Sequence, residues 1–307
     1  MLASSNSGTL WARMWRCRFL YLLFLPVIIF YGIFRYAPMW GLIIVFYEYR
    51  PFLGLAGSQF VGLAHFQNFL GSPLFWNVVW NTIALNLLGM IFVFPSAIIL
   101  ALLLNEVRNM AFKRVVQTIS YLPFFLSTVV IVSLITIMLS PTMGPVGDFY
   151  RWMGWTPINF LGQLQYYRTI FIVSDIWAAV GFGSIIYLAA IAGVEQSQYE
   201  AAVIDGAGRF KQLWHVTLPN IMPTIIIMMI VRMGTVMSSD FEKAWLLGNA
   251  ATRANADVIA TYVFRAGLFQ SNFSYASAVG LFNAVIGLIF VYGTNWFSRK
   301  TTDTSLW

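Results

Sequence analysis

Charge is what this chain has least of. Asp, Glu, Lys and Arg together make 9% of its 307 residues, where a soluble chain carries about a quarter. That is too little to coat a globule. Cysteine is nearly absent too: Cys17 is alone, which excludes an internal disulfide and a cysteine-based metal cluster. No small residues precede it as they would a lipidated cysteine, so it reads as an ordinary residue at a membrane edge. The lysines all miss the phosphate-loop pattern, because Phe, Phe, Glu and Arg stand before Lys113, Lys211, Lys243 and Lys300 where that loop needs glycine. Histidine is limited to His65 and His215, and there is no H-E-x-x-H. "GFGSI" (181–185) holds its serine in the wrong frame for G-x-S-x-G, and "GAG" (206–208) lacks the third glycine and the preceding strand of a dinucleotide fingerprint. No catalytic residue and no metal ligand set can be assigned, so this chain is not expected to be an enzyme.

What the chain has is long apolar runs. Apolar residues make up 59% of it, and the mean hydropathy is +0.74. A bilayer core asks for about 20 apolar residues per helix. Stretches at 75–104, 115–139, 169–194, 218–239 and 272–297 meet this, and 19–47 adds a sixth, interrupted by Arg35 and Pro38. The expected fold class is an all-α membrane protein of six transmembrane helices. The first run is too long for a cleaved signal peptide and lacks its small-x-small site, so it reads as a retained helix. The inner segments then carry Arg13, Arg16, Arg18, Arg108, Lys113, Arg114, Arg209, Lys211, Arg299 and Lys300. The longer outer loops carry fewer, namely Arg50, Arg151, Arg168, Lys243, Arg253 and Arg265. That asymmetry puts both termini in the cytoplasm. The net charge of +7 is thus mainly a topology signal, and no soluble basic face exists to bind nucleic acid.

Residues 1–307 read as a single transmembrane domain without tandem repeat, low-complexity tract or detachable soluble part. Loops at 48–74, 140–167 and 240–271 fall outside, the second bearing Trp152 and Trp155 suited to the headgroup region. The inner loop at about 195–219 contains "YEAAVIDGAGRFKQLWHVTLP" (199–219), a charged, glycine-broken segment that cannot sit in lipid. Ser197-x-x-Glu200 has the form of a capping box. The spacing predicts a short helix through Ile204, a left-handed stop at Gly206 and a second short helix from Arg209 to Thr217. Pro219 would then start the next span. Ala201 and Ala202 leave room for another protein's surface to approach. Glu200 is open to two readings, a capping residue or a docking one. Arg209 and Lys211 read as solvated or headgroup contacts.

Glu200-Ala201-Ala202, then Asp205-Gly206, then Val216-Thr217-Leu218-Pro219 resembles the "EAA" loop of ABC importer permeases, with valine where isoleucine is usual. "FRYAPMWG" (34–41), "NEVRNMAFKRVVQTISYLP" (105–123), "IYLAAIAGV" (186–194), "ADVIATYVFRAGL" (256–268) and "SLW" (305–307) extend the likeness to the carbohydrate-uptake permeases. Within these the chain is similar to the oligosaccharide and polysaccharide branch, alginate importers included. The resemblance implies the type I importer permease fold in a bacterial inner membrane. It also implies a second permease subunit, usually a different chain, and two ATP-binding subunits that hold ATP and Mg outside this chain. An external binding protein would deliver the substrate. The loop would dock on the ATPase, with Glu200 meeting a basic residue, Gly206 making the bend, and Asp205, Leu218 and Pro219 completing the motif.

Charges inside a membrane are costly and mark functional sites. Arg232 lies 13 residues beyond Pro219, about 20 Å along a helix, at a depth that matches Asp175. The expectation is that the two pair or share a water-filled cavity. Arg35 reads as snorkelling. Asn77 and Asn81 lie one turn apart on one helix face, either along a path or in interhelical hydrogen bonds. Trp177, Tyr187 and Asn283 are further pathway candidates, while Met228, Met229, Met233 and Met237 read as adaptable packing. Arginines facing a cavity would favour an acidic sugar. The rival readings are an ion-coupled secondary transporter using Asp175 and Arg232, and a membrane scaffold that transports nothing.

Overall fold

In a computed structural model, residues 15, 17–234, 236–237 and 240–302 are described. Arg13, Arg16 and "SLW" lie outside them. Contacts divide the chain into two units, Met1–His65 and Phe66–Trp307.

In the first unit a continuous helical span runs Arg18–Phe46. Its side chains from Arg18 to Tyr31 are exposed, the surface an apolar helix offers to lipid. A two-stranded antiparallel hairpin follows, Tyr47–Arg50 against Gly54–Phe60. Ser58 Oγ accepts from the Arg50 amide at 3.0 Å and donates to the Gly54 carbonyl at 2.7 Å, pinning the turn. The Tyr47 carbonyl sits 3.1 Å from His65 Nε2.

The second unit is a helical bundle. Its long apolar helices are the second span Phe75–Glu106, the fourth Leu164–Ala192, the fifth Arg209–Met233 and the sixth Phe273–Trp296. The third departs from the single rod expected over 115–139. Met110–Phe125 and Thr128–Met138 meet at 104°. Pro123 stands at the start of a tight 3₁₀ turn, and Ser127 then caps the next helix by accepting from the Val130 amide at 3.4 Å. A proline followed by a fresh N-cap is a restart signal. Asn109 caps the preceding helix likewise.

Small residues set the packing. In a membrane, helices gain from close approach rather than from water exclusion. Ala97 and Ala101 on the second span meet Tyr187 and Ile191 on the fourth and Ile221 on the fifth. Gly181 lies under the end of Met110–Tyr121, so that a Cβ there would fall 1.9 Å from the Ser120 carbonyl oxygen. Just past the crossing, the Phe124 and Phe182 rings stack at 3.9 Å.

Three spans contain a widened turn with i→i+5 bonding, at Gly32–Tyr36, Gly89–Val93 and Leu213–Thr217. In each, a proline follows two residues after the turn: Pro38, Pro95 and Pro219. Proline has no N–H, and its ring clashes with the carbonyl four residues back. The wider turn moves that carbonyl away, so the helix bends without being cut. This corrects the expected separate helix over 209–217, since Arg209 begins the fifth span itself and Pro219 lies within it.

Candidate functional site

The hairpin that joins the fourth and fifth spans forms largely as its residue types dictate. Its first arm is Gln196–Ile204. The expected capping box is absent: Glu195, with φ −64 and ψ 129, is the extended residue before the helix. Ser197 therefore sits in the first turn and donates to Glu195 Oε2 at 3.5 Å. The arm ends in a paired reversal, with Ala207 N–H on the Ala202 carbonyl at 2.8 Å and Gly206 N–H on that of Val203 at 3.0 Å. Gly206 has φ +74, which costs other L-residues about 1–2 kcal/mol.

The second arm is tied back to the first. Tyr199 and Thr217 hydroxyls meet at 3.0 Å, Gln212 donates to the Ala207 carbonyl at 2.8 Å, and Asn220 donates to Gln198 at 2.7 Å. The result is a stiff knob whose tip is apolar and uncovered, with Ile204 86% and Phe210 74% exposed. Glu200 is exposed beside it. Between the arms lies a cleft of ≈ 480 Å³ lined by Ala201, Ala202, Asp205, Lys211 and His215. Arg209 faces Glu106 at 3.5 Å across open surface, a pair of little energetic weight.

The second, fourth and fifth spans line an open cavity of ≈ 300 Å³. Phe94, Gly183, Tyr187, Met228 and Arg232 are among its walls. Arg232 reaches toward the widened turn of the second span, its Nη2 lying 3.3 Å from where a Cβ on Gly89 would stand.

Asp175 lies one helical turn before Ala179, another wall of that cavity. Its ion-pair partner is Lys243, not the expected Arg232. Lys243 comes from the Phe241–Leu247 helix, capped by Asp240, and was expected in an outer loop. It is 2% exposed. Its ammonium also donates to the Phe171 carbonyl at 2.8 Å and lies 4.4 Å from the centre of that residue's ring. Burial pushes the ammonium below the ordinary lysine range, opposed by Asp175 and Asp240.

The other candidates scatter. Asn81 is fully buried and belongs to a tie between helices. It donates to the Ala254 and Asp257 carbonyls at 2.8 and 3.0 Å and accepts from Arg168 at 2.9 Å. Asn77 is half-buried one turn earlier. Trp177 lines an apolar pocket of ≈ 490 Å³ with Leu134, Met138 and Val173, away from Arg232. Asn283 is half-buried and its buried Oδ1 meets no donor among the described residues. Among them, no group of three His, Cys, Asp or Glu side chains could hold a metal ion.

A multi-pass helical bundle with a stiff, partly apolar knob at one end and a cation-bearing cavity within defines a membrane transport subunit. The profile described as "binding-protein-dependent transport system inner membrane component" matches residues 93–303, and the chain belongs to this family. Protein LplB of Bacillus subtilis (strain 168) is 40% identical over 99% of this chain and 96% of its own length. The polygalacturonan/rhamnogalacturonan transport system permease protein YteP of the same organism is 43% identical over 94% of this chain and 90% of its own. A crystal structure of a bacterial alginate ABC transporter in complex with an alginate pentasaccharide-bound periplasmic protein contains a similar chain. That chain superposes at a TM-score of 0.91, with 39% identity, covering 97% of this chain and all 100% of its own. This protein is accordingly a multi-pass inner-membrane permease of the ABC importer class, with the type I fold.

Proposed function

We propose that this chain passes acidic oligosaccharides inward, using energy from ATP that partner subunits bind with Mg. The observation that carries the substrate class is Arg232, a cation on a membrane-depth cavity wall. The relatives support it, since polygalacturonan and alginate are both polymers of sugar acids. Residues 1–307 act as one permease domain with both termini cytoplasmic. The hairpin at 195–219 is the docking knob, with Glu200 salt-bridged to the ATPase and Ala201, Ala202, Asp205, Gly206, Leu218 and Pro219 shaping it. A second permease, two ATPases and an external binding protein complete the assembly.

Arg232 and Tyr187 contact the moving saccharide. Asn77, Trp177 and Asn283 stand as weaker pathway residues, while Asp175 and Asn81 act through the residues they hold. Purification from the native membrane, followed by ATPase assay with and without binding protein plus sugar, tests the assembly. Glu200→Ala is expected to cut sugar-stimulated hydrolysis at least tenfold while the chain still reaches the membrane; full stimulation would reduce the knob to a capped turn. Arg232→Ala is expected to lower uptake of an oligogalacturonate about tenfold or more. Unchanged uptake would remove Arg232 from the path.

A further inference from the structure

A third pocket with charged walls lies at the opposite end of the bundle from the docking knob. The fourth span carries 29 residues from Leu164 to Ala192, about 43 Å at 1.5 Å per residue. The knob follows its far end. At its near end Asn249 and Asn255 side-chain amides donate to the Leu161 and Leu164 carbonyls at 2.7 and 2.9 Å. Those bonds clip the segment 245–265 across the start of the span.

In that segment a pocket of ≈ 200 Å³ is lined by Trp245, Arg253, Asp257, Thr261 and Arg265, with Asn249 at its rim. The volume falls below the about 300 Å³ at which pockets for drug-sized ligands begin, so it suits one sugar ring rather than a chain.

The walls are fixed before any ligand arrives. Asp257 is 5% exposed. Its carboxylate accepts from Thr261 at 2.7 Å and from Arg265, and its carbonyl accepts from Asn81 at 3.0 Å. Trp245 is held among Phe241, Phe264 and Phe269, ring centres 6.2, 4.9 and 5.8 Å away, yet remains 36% exposed. The pocket therefore offers an apolar indole wall, for the C–H surface of a sugar, beside two arginines set against one carboxylate. Asp257 is already matched by Arg265, which leaves the exposed Arg253 as the surplus positive charge. An apolar wall with a fixed cation fits a ring that is apolar on one side and carries a carboxylate.

We infer that this pocket is a subsite for one uronate unit of the incoming saccharide, with Arg253 holding its carboxylate and Trp245 its ring. It deepens the acidic-oligosaccharide reading and rests on it. In the importer topology it sits at the outer mouth, some tens of ångströms from the ATPase side.

The test is calorimetric titration of a galacturonate trisaccharide, and of its methyl ester, into the detergent-purified complex without external protein. Uptake in proteoliposomes is measured alongside. Arg253→Ala and Arg253→Glu are expected to weaken binding of the free acid at least tenfold and leave the ester unchanged. Arg253→Lys should recover most of the affinity, and basal ATP hydrolysis should stay at the unaltered rate in all three variants. Equal weakening of acid and ester, or no change in either, overturns the subsite. So does an unaltered complex that transports the acid but does not bind it without external protein. An unaltered complex that transports neither form overturns the acidic-saccharide reading and the subsite together. A defect only in affinity for the external protein assigns Arg253 to that docking surface and also overturns the subsite.

Discussion

Lys243→Met should cost the folded chain about 1–3 kcal/mol, because it strands the Asp175 carboxylate, whose side chain is only 26% exposed, without its charged partner. Lys243 is 2% exposed, and its ammonium bridges Asp175 and the Phe171 carbonyl. The bridge also holds the Phe241–Leu247 helix against the fourth span, so a mere surface charge would not behave this way. A thermal melt of the detergent-purified protein reads the loss. The double variant Lys243→Met with Asp175→Asn should recover more than half of it, since a neutral amide is far cheaper to bury than a carboxylate. A single variant that melts with the unaltered protein would show that the solvent at the quarter-exposed Asp175 suffices to carry its charge. A double variant no better than the single would mean that packing of the lysine stem, not charge, is the contribution.

The second large effect is steric. Gly181→Ala places a methyl group 1.9 Å from the Ser120 carbonyl oxygen and 2.8 Å from the Tyr121 amide nitrogen. Both are backbone atoms that cannot rotate aside. Either the crossing of the fourth span with Met110–Tyr121 opens or the helices shift. The expected cost is about 3 kcal/mol or more, at the upper end of what overpacking does. Folded yield and melting temperature report it. Gly280→Ala is the matched control on the sixth span, where an added Cβ meets nothing within 4 Å. That substitution should be neutral or stabilising by up to about 1 kcal/mol. If both variants melt alike, the crossing is looser than this geometry requires.

Much of this architecture follows from local chemistry that a sequence displays. The apolar runs locate most spans within about five residues, but the fifth begins at Arg209 rather than 218 and ends at Met233 rather than 239. Gly206, between two helix-forming stretches, marks the hairpin because only a residue tolerant of positive φ closes that turn. Failures occur where distant residues decide. Ser197 looks like an N-cap, yet Glu195 takes the extended conformation first and the helix starts around it. Pro123 divides the run 115–139 into a first half that carries Gln117, Thr118 and Ser120 and a second half that is mostly apolar, and reading the two as one span hides the 104° bend between them. Lys243 and Arg168 sit in polar surroundings and count as loop charges, but tertiary packing carries both inward. The one local hint for Lys243 was Asp240 three residues earlier, a capping residue that starts a helix and so fixes which way the lysine points. Asn81 and Trp177 show the converse. Spacing places them on helix faces, but which face meets a cavity depends on helices far along the chain.

The widened turns ahead of Pro38, Pro95 and Pro219 behave like dislocations in a crystal. Each holds one residue more than a regular ladder needs, and a neighbouring carbonyl can take up or release that surplus without a net loss of bonds. Stiff rods joined at such faults store their flexibility at known points and stay rigid between them. In the second span the fault reaches the Arg232 cavity itself, through Val93 on its wall and Gly89 under the guanidinium, whereas the fault of the fifth span lies at the hairpin, where His215 lines the cleft. A rocking of the hairpin would bend the fifth span at its own end and reach the cavity as a tilt about the fault of the second span, with the hydrogen-bonded segments between them moving as levers of fixed length.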